Sequence, residues 1–369
     1  MANFKIKWLR QSFIAVISVT VIDACLSSYS IEESRDTAEY TVSNGPYLQS
    51  IPRGLEVLLP VPENNPLTIE KTELGRTLFF DQRLSRDEST SCASCHLPEK
   101  AFTDGLVISV GIDEKLGRRN APSLLNSAYL PSMFRDGRLK TLEQQALEPM
   151  TNPVELGNTH DEIVKRLSAD KTYLIQFEHA FGSKNITIQQ TAEAIASFER
   201  TLISGDSDFD RYWAADDLNA VSAAALRGFN LFRGKANCQL CHEHSLFSDN
   251  RFHNTGVSWG AQPLDLGRYE VTESLSDMGK FRTPSLRDVE HTAPYMHDGS
   301  MGTLEEVLEY YNQGGNSNTN LDPSIKQLNL SSEEQADIVE FLKTLSGSNW
   351  QQQYEVNAGR LEILNKTGN

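Results

Sequence analysis

The pattern Cys-x-x-Cys-His occurs twice, at Cys92-Cys95-His96 and at Cys238-Cys241-His242, and each copy sits inside a longer repeat. Ahead of the motifs, Gly75, Leu78 and Phe79 correspond to Gly228, Leu231 and Phe232. Behind them, Phe102-Thr103-Asp104 corresponds to Phe247-Ser248-Asp249. Further on, Pro122-Ser123-Leu124, Asp136-Gly137 and Thr141-Leu142-Glu143 match Pro284-Ser285-Leu286, Asp298-Gly299 and Thr303-Leu304-Glu305, all at one offset of 162 residues. So ordered a repeat restricts the chain to two copies of one structural unit. Strand signals are weak and the apolar spacing is helical. The expected fold is mainly α, with two tandem cytochrome c-type haem domains.

The haem expectation comes from the motif itself. Two thiols three residues apart on one helical turn add to the two vinyl groups of a haem, and the following His lies under the iron. Cys92, Cys95 and His96 would hold one haem c; Cys238, Cys241 and His242 would hold a second. A zinc knuckle would need matched ligand pairs, and a thioredoxin-like pair has no need of the His.

Five cysteines are present, and four belong to these motifs, so no disulfide framework is expected. The fifth, Cys25, follows Lys5, Lys7, Arg10 and the apolar run 13–22, which is too short for a comfortable membrane span. That arrangement reads as a signal peptide and a periplasmic location, with Cys25 either a lipid-anchor site or a thiol discarded with the signal. The expected organisation is a signal peptide at 1–24, a linker or arm at 25–62 and haem domains at 63–205 and 206–350. A tail follows at 351–369. The net charge of −16 argues against nucleic acid and favours partners with a basic face. Residues 191–202 should form a helix between the domains. Residues 331–345 should form the last one, capped by Ser331 or Ser332 and stopped by Gly347.

The repeat also compares the two iron environments. Tyr311 falls opposite Pro149. A tyrosine oxygen can ligate ferric iron, whereas proline offers no donor and leaves an iron face open. Tyr311 is also readable as a packed aromatic beside Tyr310.

Long ordered stretches carry a resemblance: SCASCHLPEKAFTDG, GRRNAPSLLN, MFRDGRLKTLEQQALEPMTNPVELG, FRTPSLRD and TAPYMHDGSMGTLEEVLEYYNQGG. Together they resemble the bacterial di-haem cytochrome c peroxidase family, and within it the MauG-like branch, over residues 67–347. The resemblance implies that hydrogen peroxide is handled at the first haem, with Gln145, Pro149 and Glu155 on its open side. Glu155 would be the acid–base group; otherwise it is a charge near a helix end after Pro153. The resemblance also implies Tyr311 as the second ligand of the haem of His242. It implies a calcium ion held by Asn120, Thr292 and Pro294, which can also be read as turn residues. Family members that require reduction before use carry a blocking His where this chain has Ile112, so the first haem should be open. His297 is expected near a propionate of the second haem, and the other histidines at the surface or in packing. Electrons would come from a small cytochrome or cupredoxin, or from a side chain of a protein substrate; a non-enzymatic electron carrier is a third reading. Two departures weigh against long-range radical transfer. Arg135 replaces the family's Trp between the haems, and Ala236 replaces a surface Trp before the second motif.

Overall fold

The computed structural model describes residues 47–348 and Trp350. The expected signal segment, Cys25 and the tail at 351–369 lie outside the described residues.

Eleven α-helices appear among the described residues: α1 Ile69–Phe79, α2 Cys92–Cys95, α3 Leu142–Thr151, α4 His160–Ser168, α5 Lys171–Phe181, α6 Ile188–Glu199, α7 Asp208–Ala215, α8 Ala223–Arg233, α9 Tyr269–Thr272, α10 Leu304–Asn312 and α11 Ser332–Lys343. Strands β1 (Phe252–His253) and β2 (Phe281–Arg282) form one short antiparallel pair. The fold is mainly α, as the periodicity implied.

Helix starts follow side-chain capping. Thr141 accepts from Gln144 N at the start of α3, and Thr303 accepts from Glu306 N at the start of α10. Such caps contribute about 1 kcal/mol each. These two threonines are 162 residues apart, so α3 and α10 begin in register. Pro149 and Tyr311 therefore occupy the same position along their helices. Ser331 caps α11, but the helix stops at Lys343, before Gly347. The helix expected at 191–202 starts earlier and ends earlier, as α6. Thr187 supplies a full capping box ahead of the apolar run.

Two large hydrophobic cores form, besides a small cluster of Met133, Leu142 and Ala196. One draws Leu74, Leu78 and Phe79 from α1, Met150 from α3 and Ile195 and Phe198 from α6; Trp350 also joins it. The other draws Phe209 from α7, Phe232 from α8, Leu308 from α10 and Phe341 from α11. Both are organised by one close helix crossing. A Cβ at Gly75 would lie 1.8 Å from the Ala194 carbonyl oxygen of α6, and one at Gly228 would lie 1.8 Å from the Asp337 carbonyl oxygen of α11. Only a residue without a side chain permits that approach.

Buried polar contacts join the two halves. Arg119 bridges Asp136 at 2.5 Å and Asp265 at 2.7 Å. Arg268 donates to the carbonyls of Asp136 and Gly137, and the Arg282 N–H donates to the Arg135 carbonyl. The described part of the linker packs down as well: Arg287 donates to the Gly54 carbonyl, and Tyr129 to that of Glu56.

Candidate active site

Each Cys-x-x-Cys-His histidine is fixed by the loop after it. The Nδ1 of His96 lies 2.9 Å from the Phe102 carbonyl, and that of His242 lies 2.8 Å from the Phe247 carbonyl. A carbonyl only accepts, so Nδ1 carries the hydrogen in both rings and the Nε2 lone pair is left free. Burial also pushes both imidazoles below their usual range, keeping them neutral. The repeated Ser of Pro-Ser-Leu supports this loop. Ser123 donates to the Ala101 carbonyl, and Ser285 to the Leu246 carbonyl, each just ahead of the phenylalanine that holds the histidine. Both phenylalanines have positive φ, 58° and 52°, which turns their carbonyls back toward the ring.

The cysteines suit thioether formation. All four are free, and burial pushes up the thiols of Cys92, Cys95 and Cys238, to about 11 for Cys95 and about 12 for Cys238. A zinc or redox pair works as thiolate, so these thiols disfavour that reading.

A cavity of about 710 Å³ opens over the first motif. It is lined by Cys92, Cys95 and His96 together with Gln145, Pro149 and Glu155, so the structure brings the expected first-site residues onto one surface. Its size falls in the usual cofactor-site range of roughly 300–1,000 Å³. Arg282 also lines it and leaves its buried Nε without a partner. An anionic edge, such as a haem carboxylate, would satisfy that donor. The free Nε2 of His96, the paired thiols and the orphan guanidinium fit a covalently held haem.

The end of α3 positions Glu155. Asn152 folds the turn, its Oδ1 accepting from Val154 N and its Nδ2 donating to Glu155 Oε1 at 2.6 Å. Desolvation pushes the Glu155 carboxyl above its usual range, opposed by Arg138 and by the Asn152 hydrogen bond. Ile112 is 1% exposed, and its N–H donates to the Glu155 carbonyl at 3.0 Å. The loop that could carry a blocking imidazole is thus tied down beside Glu155 with an apolar side chain.

At the second motif, Tyr311 is half-buried beside Tyr310, within electrostatic reach of Cys238 and Cys241, and desolvation of its hydroxyl pushes the phenol up. Tyr311, Thr292 and Pro294 do not line the first cavity. Ala236 is buried, while Trp213 is exposed and stacks on Phe209. His297 is buried and stacks on Phe281 at 3.8 Å.

Of the residues expected to hold calcium, Asn120, Thr292 and Pro294, the side-chain donor Asn120 is already engaged. Asn120 gives both its oxygens to Arg135: Nη2 donates to Oδ1 at 2.8 Å and Nε to the carbonyl at 3.2 Å. Arg135 has taken up the Asn120 oxygens, one of which calcium would need.

Sequence reasoning missed three residues. Glu199 lines the first cavity, is 4% exposed and has an Oε2 without a partner. Arg282 is the orphan donor above. His253 lies between Asp322 (2.7 Å) and Asp249 (2.9 Å) and beside Cys241. That trio could hold a metal only if Cys241 were not consumed by haem attachment. Glu199 sits in an ordinary amphipathic helix and His253 in the two-residue strand β1, so neither carried a pattern that marks a site.

A mainly helical fold with two such histidine–thiol motifs, one under a large cavity, defines a covalently haem-bearing redox protein. A family profile described as di-haem cytochrome c peroxidase matches residues 69–218. The chain is 43% identical over 288 residues to the methylamine utilization protein MauG of Methylorubrum extorquens, covering 78% of this chain and 81% of that one. It is 36% identical over 296 residues to the cytochrome c551 peroxidase of Nitrosomonas europaea, covering 79% and 84%. The crystal structure of a MauG-like protein associated with microbial copper homeostasis superposes with a TM-score of 0.74 at 36% identity, covering 84% and 96%. The chain belongs to the di-haem cytochrome c peroxidase family, and with it is a haem-dependent oxidoreductase acting on peroxide.

Proposed function

We propose that the cavity over His96 is the peroxide site and that Glu155 is its acid–base group. One observation carries the assignment: Glu155, Gln145 and Pro149 share that cavity with Cys92, Cys95 and His96. The haem held there by Cys92, Cys95 and His96 would supply a redox-active iron with an open face. Pro149 offers that face no ligand atom, and neither does Ile112, which lies outside the lining with its N–H on the Glu155 carbonyl. Glu155 takes a proton from one peroxide oxygen and returns it to the other as the O–O bond breaks, a task suited to a carboxyl whose proton affinity burial has raised. The balance is one peroxide, two electrons and two protons to two waters. The second haem would be held by Cys238, Cys241 and His242, with Tyr311 as its further ligand. One haem would belong to each core, with the division near residue 205. The basic and apolar N-terminal sequence, Lys5, Lys7 and Arg10 followed by the run 13–22, and the C-x-x-C-H chemistry support a periplasmic setting. No helix among the described residues is long and apolar enough to cross a membrane.

The electron donor on this reading is a small cytochrome or cupredoxin with a basic face, since the chain carries −16. Steady-state peroxide consumption with such a reduced donor is the deciding assay; stoichiometric oxidation of the protein with no donor turnover would defeat it. The second reading is oxidation of a protein substrate's side chain, favoured by the 43% identity to MauG. Arg135 and the buried Ala236 stand against it, because neither can relay a radical. A covalent change in a partner, seen by mass spectrometry after peroxide, distinguishes the two.

A further inference from the structure

The junction between the two halves carries three guanidinium groups. Arg119 is neutralised by Asp136 and Asp265. Arg282 keeps a buried Nε without a partner. Arg135 has no salt-bridged carboxylate within contact among the described residues, and its hydrogen bonds run to Asn120 alone. Asn120 is 4% exposed and fully engaged: its N–H donates to the His297 carbonyl, its Nδ2 donates to the Leu106 carbonyl, and both its oxygens accept from Arg135. Asn120 follows the first motif and His297 lies beyond the second, so this asparagine ties the halves together.

A calcium ion at this place would take oxygen donors at roughly 2.3–2.6 Å. The asparagine oxygen it would need already accepts from a guanidinium nitrogen 2.8 Å away. A divalent ion would also face Arg135 and Arg282, opposed by Asp298, and like charges in a poorly hydrated site repel strongly. The planar guanidinium instead delivers positive charge and directional donors to the same oxygens from within the chain.

We propose that Arg135 is a built-in replacement for a divalent cation at the junction, so that the holoenzyme is held together without calcium. Desolvation and the neighbouring Arg282 and Arg119, against Asp298, push the guanidinium down to about 10, which leaves it charged at neutral pH. The proposal does not depend on the peroxide chemistry, because its readouts are metal content and melting temperature.

The test uses the purified di-haem protein, dialysed against EGTA or against calcium chloride. Elemental analysis should find no stoichiometric calcium in wild type, and its melting temperature should be the same in both buffers. Arg135→Gln frees the asparagine oxygens; it should melt several degrees lower in EGTA and recover in calcium chloride but not in magnesium chloride. Arg135→Lys should stay indifferent to calcium. One calcium per wild-type chain, with a melting temperature that EGTA lowers, overturns the proposal. So does an Arg135→Gln protein as stable as wild type and unresponsive to calcium, since the guanidinium would then be replacing nothing. If Arg135→Gln does not fold, the wild-type measurements still decide.

Discussion

Glu155 and Glu199 line the same cavity, and both are shifted upward by burial, but they should behave differently. Glu155 has a hydrogen-bond donor in Asn152 and sits on the loop that faces the cavity. Glu155→Gln keeps the shape and removes the titrating proton. It should lower the peroxide rate by about 10²–10⁴-fold, the usual contribution of a positioned acid–base group, with both haems still attached. Near-wild-type turnover in stopped-flow would remove Glu155 from the chemistry. Glu199 is raised from 4.5 to about 8 by desolvation and by Glu143, against Arg200. A carboxyl whose folded pKa is raised adds stability in full below its unfolded value, and that contribution is lost as pH rises through the folded value. Stability of the wild type should therefore fall between about pH 4.5 and 8 by a few kcal/mol, at about 1.4 kcal/mol per pKa unit. Glu199→Gln should flatten that slope in urea titrations. An unchanged slope would mean that Glu199 is ionised where it sits.

Each half of the protein depends at the element scale on one glycine crossing, α1 over α6 and α8 over α11. Gly75→Ala and Gly228→Ala each place a methyl within 1.8 Å of a carbonyl oxygen of the partner helix. Alanine is otherwise the better helix former, by about 1 kcal/mol, so any stabilisation would show that the helices had moved apart freely. The expected result is a loss of about 2–3 kcal/mol, within the usual range for overpacking, read as a lower midpoint in chemical denaturation. The repeat was legible here because its conservative positions are the ones that geometry forces. Gly meets the opposite helix, Phe turns its carbonyl to the histidine, and Ser holds the loop behind it. The cap of α11 was legible as well, but its end was not, since Gly347 lies beyond the point where the chain turns to reach Asp288 and Gly205.

The halves of the whole molecule meet through charged groups removed from water. Arg119 is 14% exposed and pairs with Asp136, itself 4% exposed, and with Asp265. Removing Arg119 leaves Asp136 with Arg138 and Asp265 with the more distant Arg118, so the cost lies at the low end of the about 3–5 kcal/mol for breaking a buried pair. Arg119→Ala should therefore destabilise the protein by about that amount and weaken coupling between the halves. Differential scanning calorimetry that shows one unaltered transition would mean the pair contributes little. The remaining polar ties, Arg268 to the Asp136 and Gly137 carbonyls and Asn120 to the His297 carbonyl, join residues more than 130 apart in sequence. No local pattern could announce them.

The sequence by itself determined the helical class, the duplication, the four thiols and two histidines, and the asymmetry between Pro149 and Tyr311. These are short-range facts: a motif is contiguous, and a repeat is read by offset. Only the tertiary structure decided which groups meet. Glu199, Arg282 and His253 gained their character from what surrounds them, because burial and partner charge are properties of a place and not of a residue type. Arg135 shows the difference most directly. In the sequence it is a missing tryptophan. In the fold it is a cation seated on the oxygens of Asn120, since only the packing of two distant loops brings donor and acceptor to 2.8 Å.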